Sequence, residues 1–163
     1  MKKQWFKKTF ASYRVVKLIQ KIAKVFTKLP HLPQALIRII IKIMPVLTLV
    51  LGLISTLGAI SGFIFLVLSV VAWDIQTVLE NLGSFLLILL NALLLLKAVK
   101  PLKQKDAIGW IYLFWTQVIN VGYSVYDLLM GNVPTWWGMV LNLLVFTYLL
   151  FEIGPSYTYQ QEE

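Results

Sequence analysis

Cysteine is absent from this chain, and histidine occurs once. The first absence excludes disulfide frameworks, thiol redox chemistry and thiolate metal sites. The second leaves His31, set between Pro30 and Pro33, with no imidazole, thiol or sequence-adjacent carboxylate to share a metal. It reads as a surface residue, and no metal or cofactor is expected. Charge is scarce too, at 13% of 163 residues, against about 25% in soluble domains. Acids number seven, and none precedes Asp74. No zinc-protease HExxH, nucleophile-elbow GxSxG or phosphate-cradling glycine loop occurs. Asp74 and Glu80, six apart, would point to different sides of a helix and make no acid/base pair. The loops are too short for a catalytic domain, so an enzyme is not expected.

What is abundant is apolar. The chain is 59% hydrophobic with a mean hydropathy of +0.78. A chain this short leaves much of its surface exposed when it folds in water, and these residues do not suit that surface. Lipid as the surrounding medium removes the conflict. The expected fold class is an all-α integral membrane protein with four transmembrane helices. An N-terminal amphipathic interfacial helix precedes them, and a short interfacial or half-inserted helix follows the first span.

Eleven of the fifteen Lys/Arg fall in residues 1–42. Lys7, Arg14, Lys17, Lys21, Lys24 and Lys28 recur at helical spacing opposite Phe6, Phe10, Leu18, Ile22, Phe26 and Leu29. A helix of that kind lies in the headgroup plane, and these six cations are the candidate lipid headgroup contacts. Each basic residue beside an anionic leaflet contributes roughly 1 kcal/mol. Residues 1–33 thus form a basic surface segment ending in the Leu29-Pro30-His31-Leu32-Pro33 hinge, since prolines three apart interrupt a helix.

From Ile43 to Trp73 no residue is charged. As one helix that run would be roughly 46 Å long, against a hydrocarbon core of about 30 Å. The sequence therefore predicts a first span over about 36–58, a break at Gly58 or Gly62, and a separate short helix over 60–73. Further spans are predicted at about 77–97, 107–129 and 135–153, making residues 34–155 one transmembrane domain before a short cytoplasmic tail, 156–163. Lys97, Lys100, Pro101, Lys103 and Lys105 are expected to end the second span. Lys/Arg in short flanks stay cytoplasmic, and the connections near 59–76 and 130–134 contain none. Both termini are therefore expected inside. Trp73, Trp110, Trp136 and Trp137 fall at predicted interfaces, where indole rings prefer to lie. The N-terminus lacks the pattern of a cleavable signal peptide, and a bacterial inner (plasma) membrane is the expected location.

Polar residues recur on faces of the predicted spans. Asp74, Thr77, Asn81, Ser84 and Asn91 share one side of the second, while Gln117, Asn120, Ser124 and Asp127 share one side of the third. Placed by depth, Ser84, Gln117, Asn120 and Asn142 are expected to approach one another in mid-membrane, with Asn91 on the same stripe. Asp74, Glu80 and Asp127 would form an acidic outer mouth. Interhelical glue is the plainer reading, at about 0.6 kcal/mol per pair; a hydrated path is the sharper one. Gly52, Ser55, Gly58 and Gly62 form a small-residue packing seam. Glu152 is expected to face the 97–105 loop or the headgroups.

Three roles fit these features. The first is a non-enzymatic structural or accessory membrane component, packed with itself or a larger complex and gripping anionic lipids at the cytoplasmic leaflet. The second is a subunit of an oligomeric channel or transporter for cations or small polar solutes. The third is a holin-like or toxin-like membrane-active protein. Nucleic acid is not an expected partner, because the positive charge follows membrane topology.

Overall fold

The computed structural model describes residue 19 and residues 31–72, 75–129 and 136–157, with the backbone alone for 126–129, 136–139 and 141–143. Among these the fold is all-helical. Helix α1 spans Gln34–Val71, α2 Ile75–Lys103, α3 Ala107–Leu129 and α4 Trp136–Ile153, with a 3-10 turn at Gly154–Ser156. Both α1 and α2 are long and apolar enough to cross a membrane.

Helix α1 corrects one expectation. It runs 38 residues without interruption, about 57 Å at 1.5 Å per residue, so 60–71 is not a separate element. A glycine costs a helix interior only about 1 kcal/mol, and both glycines lie on the packed face. A Cβ on Gly58 would lie 3.5 Å from Ile88, and one on Gly62 3.7 Å from Phe85. Gly52 is tighter still, with Leu96 Cδ2 at 2.9 Å. The seam of small residues therefore lies along α2, with Ser55 half-buried in the same row. The backbones approach closely where side chains are missing.

The seam reverses the usual amphipathic order. Its buried members are Ile37, Pro45, Thr48, Gly52, Ala59 and Ser69, mostly small or hydroxylic. The outward faces from Leu36 to Val71 carry exposed leucine, isoleucine, valine and phenylalanine instead. Thr56 and Ser69 donate to the carbonyls of Gly52 and Leu66 at 2.7 and 2.8 Å, so these hydroxyls are satisfied without water.

Helix α2 passes the predicted stop at 97 and continues through Pro101 to Lys103. Its end is a two-bond cap. The Asp106 N–H donates to the Pro101 carbonyl at 2.9 Å and the Lys105 N–H to Leu102 at 3.1 Å, the pairing of a Schellman motif. Lys105 takes the left-handed φ of 55° that glycine ordinarily supplies. Asp106 then caps α3, its carboxylate accepting the Ile108 N–H at 3.0 Å. The turn is so tight that a Cβ on Gly109 would meet the Leu102 backbone nitrogen at 2.7 Å.

The compact core gathers at this end of the molecule. Leu94, Ala98, Leu102, Ile108, Trp110, Ile111, Leu150, Phe151 and Ile153 are buried in one cluster, flanked by Ile40, Ile41 and Met44 of α1. Ile19 joins the same cluster, helical and fully buried. The rest of residues 1–30, and with it the expected amphipathic helix and its lysines, lies outside the described residues.

Candidate functional site

The polar residues singled out from spacing separate into two layers. In the first, Asn91 of α2 donates to the Asn120 carbonyl oxygen of α3 at 3.4 Å. In the second, Gln117 of α3 donates to the Thr147 hydroxyl of α4, also at 3.4 Å. Both contacts are long for hydrogen bonds. Asn91 thus takes the place foreseen for Ser84, which sits half-buried nearer the far end of α2. Helices α2 and α3 run antiparallel from the Leu102–Gly109 contact, so residues equally distant from the turn share a level, and Asn120 reaches Asn91. The side chain of Asn142 lies outside the described residues.

Polar valence is left over in this region. Asn91 Oδ1 and Thr116 Oγ1 are buried and have no hydrogen-bond partner among the described residues. Thr116 is 7% exposed overall and lies one helical turn from Asn120, on the same side of α3. Asn120, by contrast, is exposed although it faces α2. The Asn91–Asn120 contact is therefore accessible from one side.

Of the acidic mouth, Glu80 is exposed and accepts from Gln76 Nε2 on its own helix at 3.2 Å. Asp74 and the Asp127 side chain lie outside the described residues. A groove of about 260 Å³ at the α1–α2 tip is lined by Val70, Ile75, Val78 and Leu79. It offers no polar side chain to orient a ligand.

A second polar site was not foreseen. Glu152, in the last turn of α4, is not laid open to its surroundings: its side chain is only 7% exposed. It accepts the Leu32 N–H at 3.0 Å, and His31 Nδ1 lies 3.2 and 3.3 Å from its two oxygens. In the tautomer with its proton on Nδ1, the imidazole donates to the carboxylate. The His31 ring remains at the surface, 64% exposed, but it has the carboxylate partner that its sequence neighbourhood lacks. Chemistry explains the choice of partner. A carboxylate at a helix C-terminus opposes the helix dipole, and the proline-flanked hinge offers an N–H that no helix uses. No local signal in the sequence joins residues about 120 positions apart.

Trp110 is 9% exposed, and its indole donates to the Leu150 carbonyl at 2.7 Å. That carbonyl is among the last four of α4, which lack helical donors. The ring packs edge-on against Phe151, and a Cβ on Gly154 would come within 3.0 Å of it. Trp73, Trp136 and Trp137 have no described side chains.

Among the described residues no cluster of three or more His, Cys, Asp or Glu could hold a metal ion. Comparison with protein-family models, with curated proteins and with solved structures gives no match.

Proposed function

We propose that the chain is a multi-pass membrane protein of four spans, with both termini on the basic, cytoplasmic side of a bacterial inner membrane. Its role in this reading is that of a non-catalytic component. The observation that carries it is the inverted amphipathicity of α1. Small and hydroxylic residues face α2, and the bulky aliphatic and aromatic ones face outward along the whole helix. In water such a surface would drive aggregation; against lipid it costs nothing. Arg38, Lys42, Lys100, Lys103 and Lys105 are exposed at the core-bearing end, where they meet anionic headgroups. The outward face of α1 is then the surface available to a second copy or a larger membrane complex.

The test uses the native lack of cysteine. Single cysteines placed at the two termini are expected to react from the same face of sealed membrane vesicles, and the protein to stay in the pellet after alkaline carbonate extraction. Release into carbonate, or termini reacting from opposite faces, overturns the reading.

A second reading, a subunit of a path for small polar solutes, is favoured by the unpartnered oxygens of Asn91 and Thr116. A purely structural glue would have used them.

A further inference from the structure

We propose that the opening between α2 and α3 at the level of Asn91 and Asn120 is a hydrated crevice that binds a small uncharged molecule carrying hydrogen-bond donors and acceptors, water being the smallest of the class. The inference rests on the membrane-spanning reading above and assigns a ligand chemistry to a site within it.

Three observations converge. Thr116 is more than nine-tenths buried, yet its hydroxyl meets no partner among the described residues. The Asn91 carbonyl oxygen, on the facing helix, is likewise buried and unpartnered. An unmet buried polar group costs about 1–3 kcal/mol, and a bound water or small solute with two to four polar partners removes that cost. Asn120 completes the group from one turn above Thr116, and it is exposed. A bare amide against hydrocarbon is unfavourable; one facing a water-filled cleft is not.

The shape of the site sets its direction. Toward the Leu102–Gly109 turn the α2–α3 interface is closed by Leu94, Ala98, Leu102, Ile108 and Ile111, all buried. Asn91 and Asn120 lie eleven residues along each helix from that turn, about 16 Å. The crevice is thus shut on the basic side and opens toward the opposite end of the molecule, past the half-buried Ser84 and Ser124. Thr116 is its floor.

The donor set decides the ligand class. Amide and hydroxyl groups carry no formal charge, and α2 and α3 have no ionisable acid or base between Glu80 and Lys97 or between Asp106 and Asp127 except tyrosine. An ion entering there would exchange its hydration shell for too few dipoles. A neutral molecule matches the amide and hydroxyl groups.

The native chain supplies a cysteine-free background. Asn120→Cys and, one turn on, Ser124→Cys are reconstituted in vesicles and exposed to a charged, membrane-impermeant methanethiosulfonate. Val118→Cys and Val125→Cys, on the opposite, outward face of α3, serve as references. Methanethiosulfonates react with the thiolate, which forms only where water reaches it. Both crevice positions are expected to react at least tenfold faster than the references. Equal, slow reaction at all four positions overturns the crevice while leaving the membrane-spanning reading intact. Equal, fast reaction at all four overturns the membrane reading itself. Urea at molar concentration then separates the two occupants. Slower labelling with urea, but not with isosmotic sodium chloride, assigns a solute site; labelling unchanged by both assigns water alone. Sodium chloride slowing the reaction as strongly as urea would overturn the uncharged-ligand assignment.

Discussion

The two ends of the molecule are built by opposite rules. At the basic end the α2–α3 turn, the last turn of α4 and the start of α1 converge on one buried cluster, tied by specific polar contacts, although the Tyr157 hydroxyl meets no partner among the described residues. Trp110 serves the Leu150 carbonyl, Asp106 caps Ile108, and Glu152 holds the Leu32 N–H. At the other end α1 and α2 continue as a long apolar hairpin, its outward side chains exposed. The difference teaches where specificity is stored. Helix pairing along the hairpin needs only small residues at helical spacing, whereas the register of the whole bundle is fixed by a few exact contacts at one end.

Glycines sharpen that comparison most. Gly109→Ala drives a Cβ into the Leu102 backbone at 2.7 Å, where nothing flexible can yield. It is expected to destabilise the protein by about 2–3 kcal/mol, as overpacking does. Gly122→Ala in the same helix meets nothing within 4 Å and is expected to be neutral or to stabilise by up to about 1 kcal/mol through helix propensity. Unfolding in mixed micelles followed by far-UV circular dichroism measures both; equal losses would remove the distinction between the ends.

Lys105 gives a smaller effect of opposite sign. Its left-handed φ of 55° is unfavourable for a residue with a Cβ, so Lys105→Gly is expected to stabilise the bundle by about 1 kcal/mol in the same measurement. A loss of stability would mean that the lysine side chain matters more than its backbone.

The smallest effect is pH-dependent. Burial pushes the Tyr157 phenol up to about 12 from the usual 10.0, and its hydroxyl has no partner among the described residues. The raised value belongs to the folded state. Below pH 10 both states keep the proton and stability is unaffected. Between pH 10 and 12 only the unfolded state releases it, so stability falls as pH rises, and the loss levels off above the folded value. Tyr157→Phe is expected to abolish that component, read as the difference between variant and parent melting curves at pH 9 and 11.

Much of the helical pattern is legible in residue order, because stretches such as Phe85–Leu96, apolar but for Asn91, have few other ways to fold. The predicted break in α1 failed for a physical reason. Gly58 and Gly62 look alike in sequence whether they interrupt a helix or let a neighbour approach, and only the facing Ile88 and Phe85 decide. The end of α2 was misplaced because its cap places lysine where glycine is usual. For the polar stripes, spacing identified the residues but not their partners, since depth estimated from span boundaries carries an error of about two helical turns. Two turns separate Ser84 from Asn91. The Glu152 contact had no local signature at all.

That last contact orders events in time. Chain growth delivers Leu32 about 120 residues before Glu152, so the N–H of the proline hinge has no carboxylate to meet until α4 has been made. The contact that joins the start of α1 to the last turn of α4 can form only then, and a chain truncated before residue 152 has no means of making it.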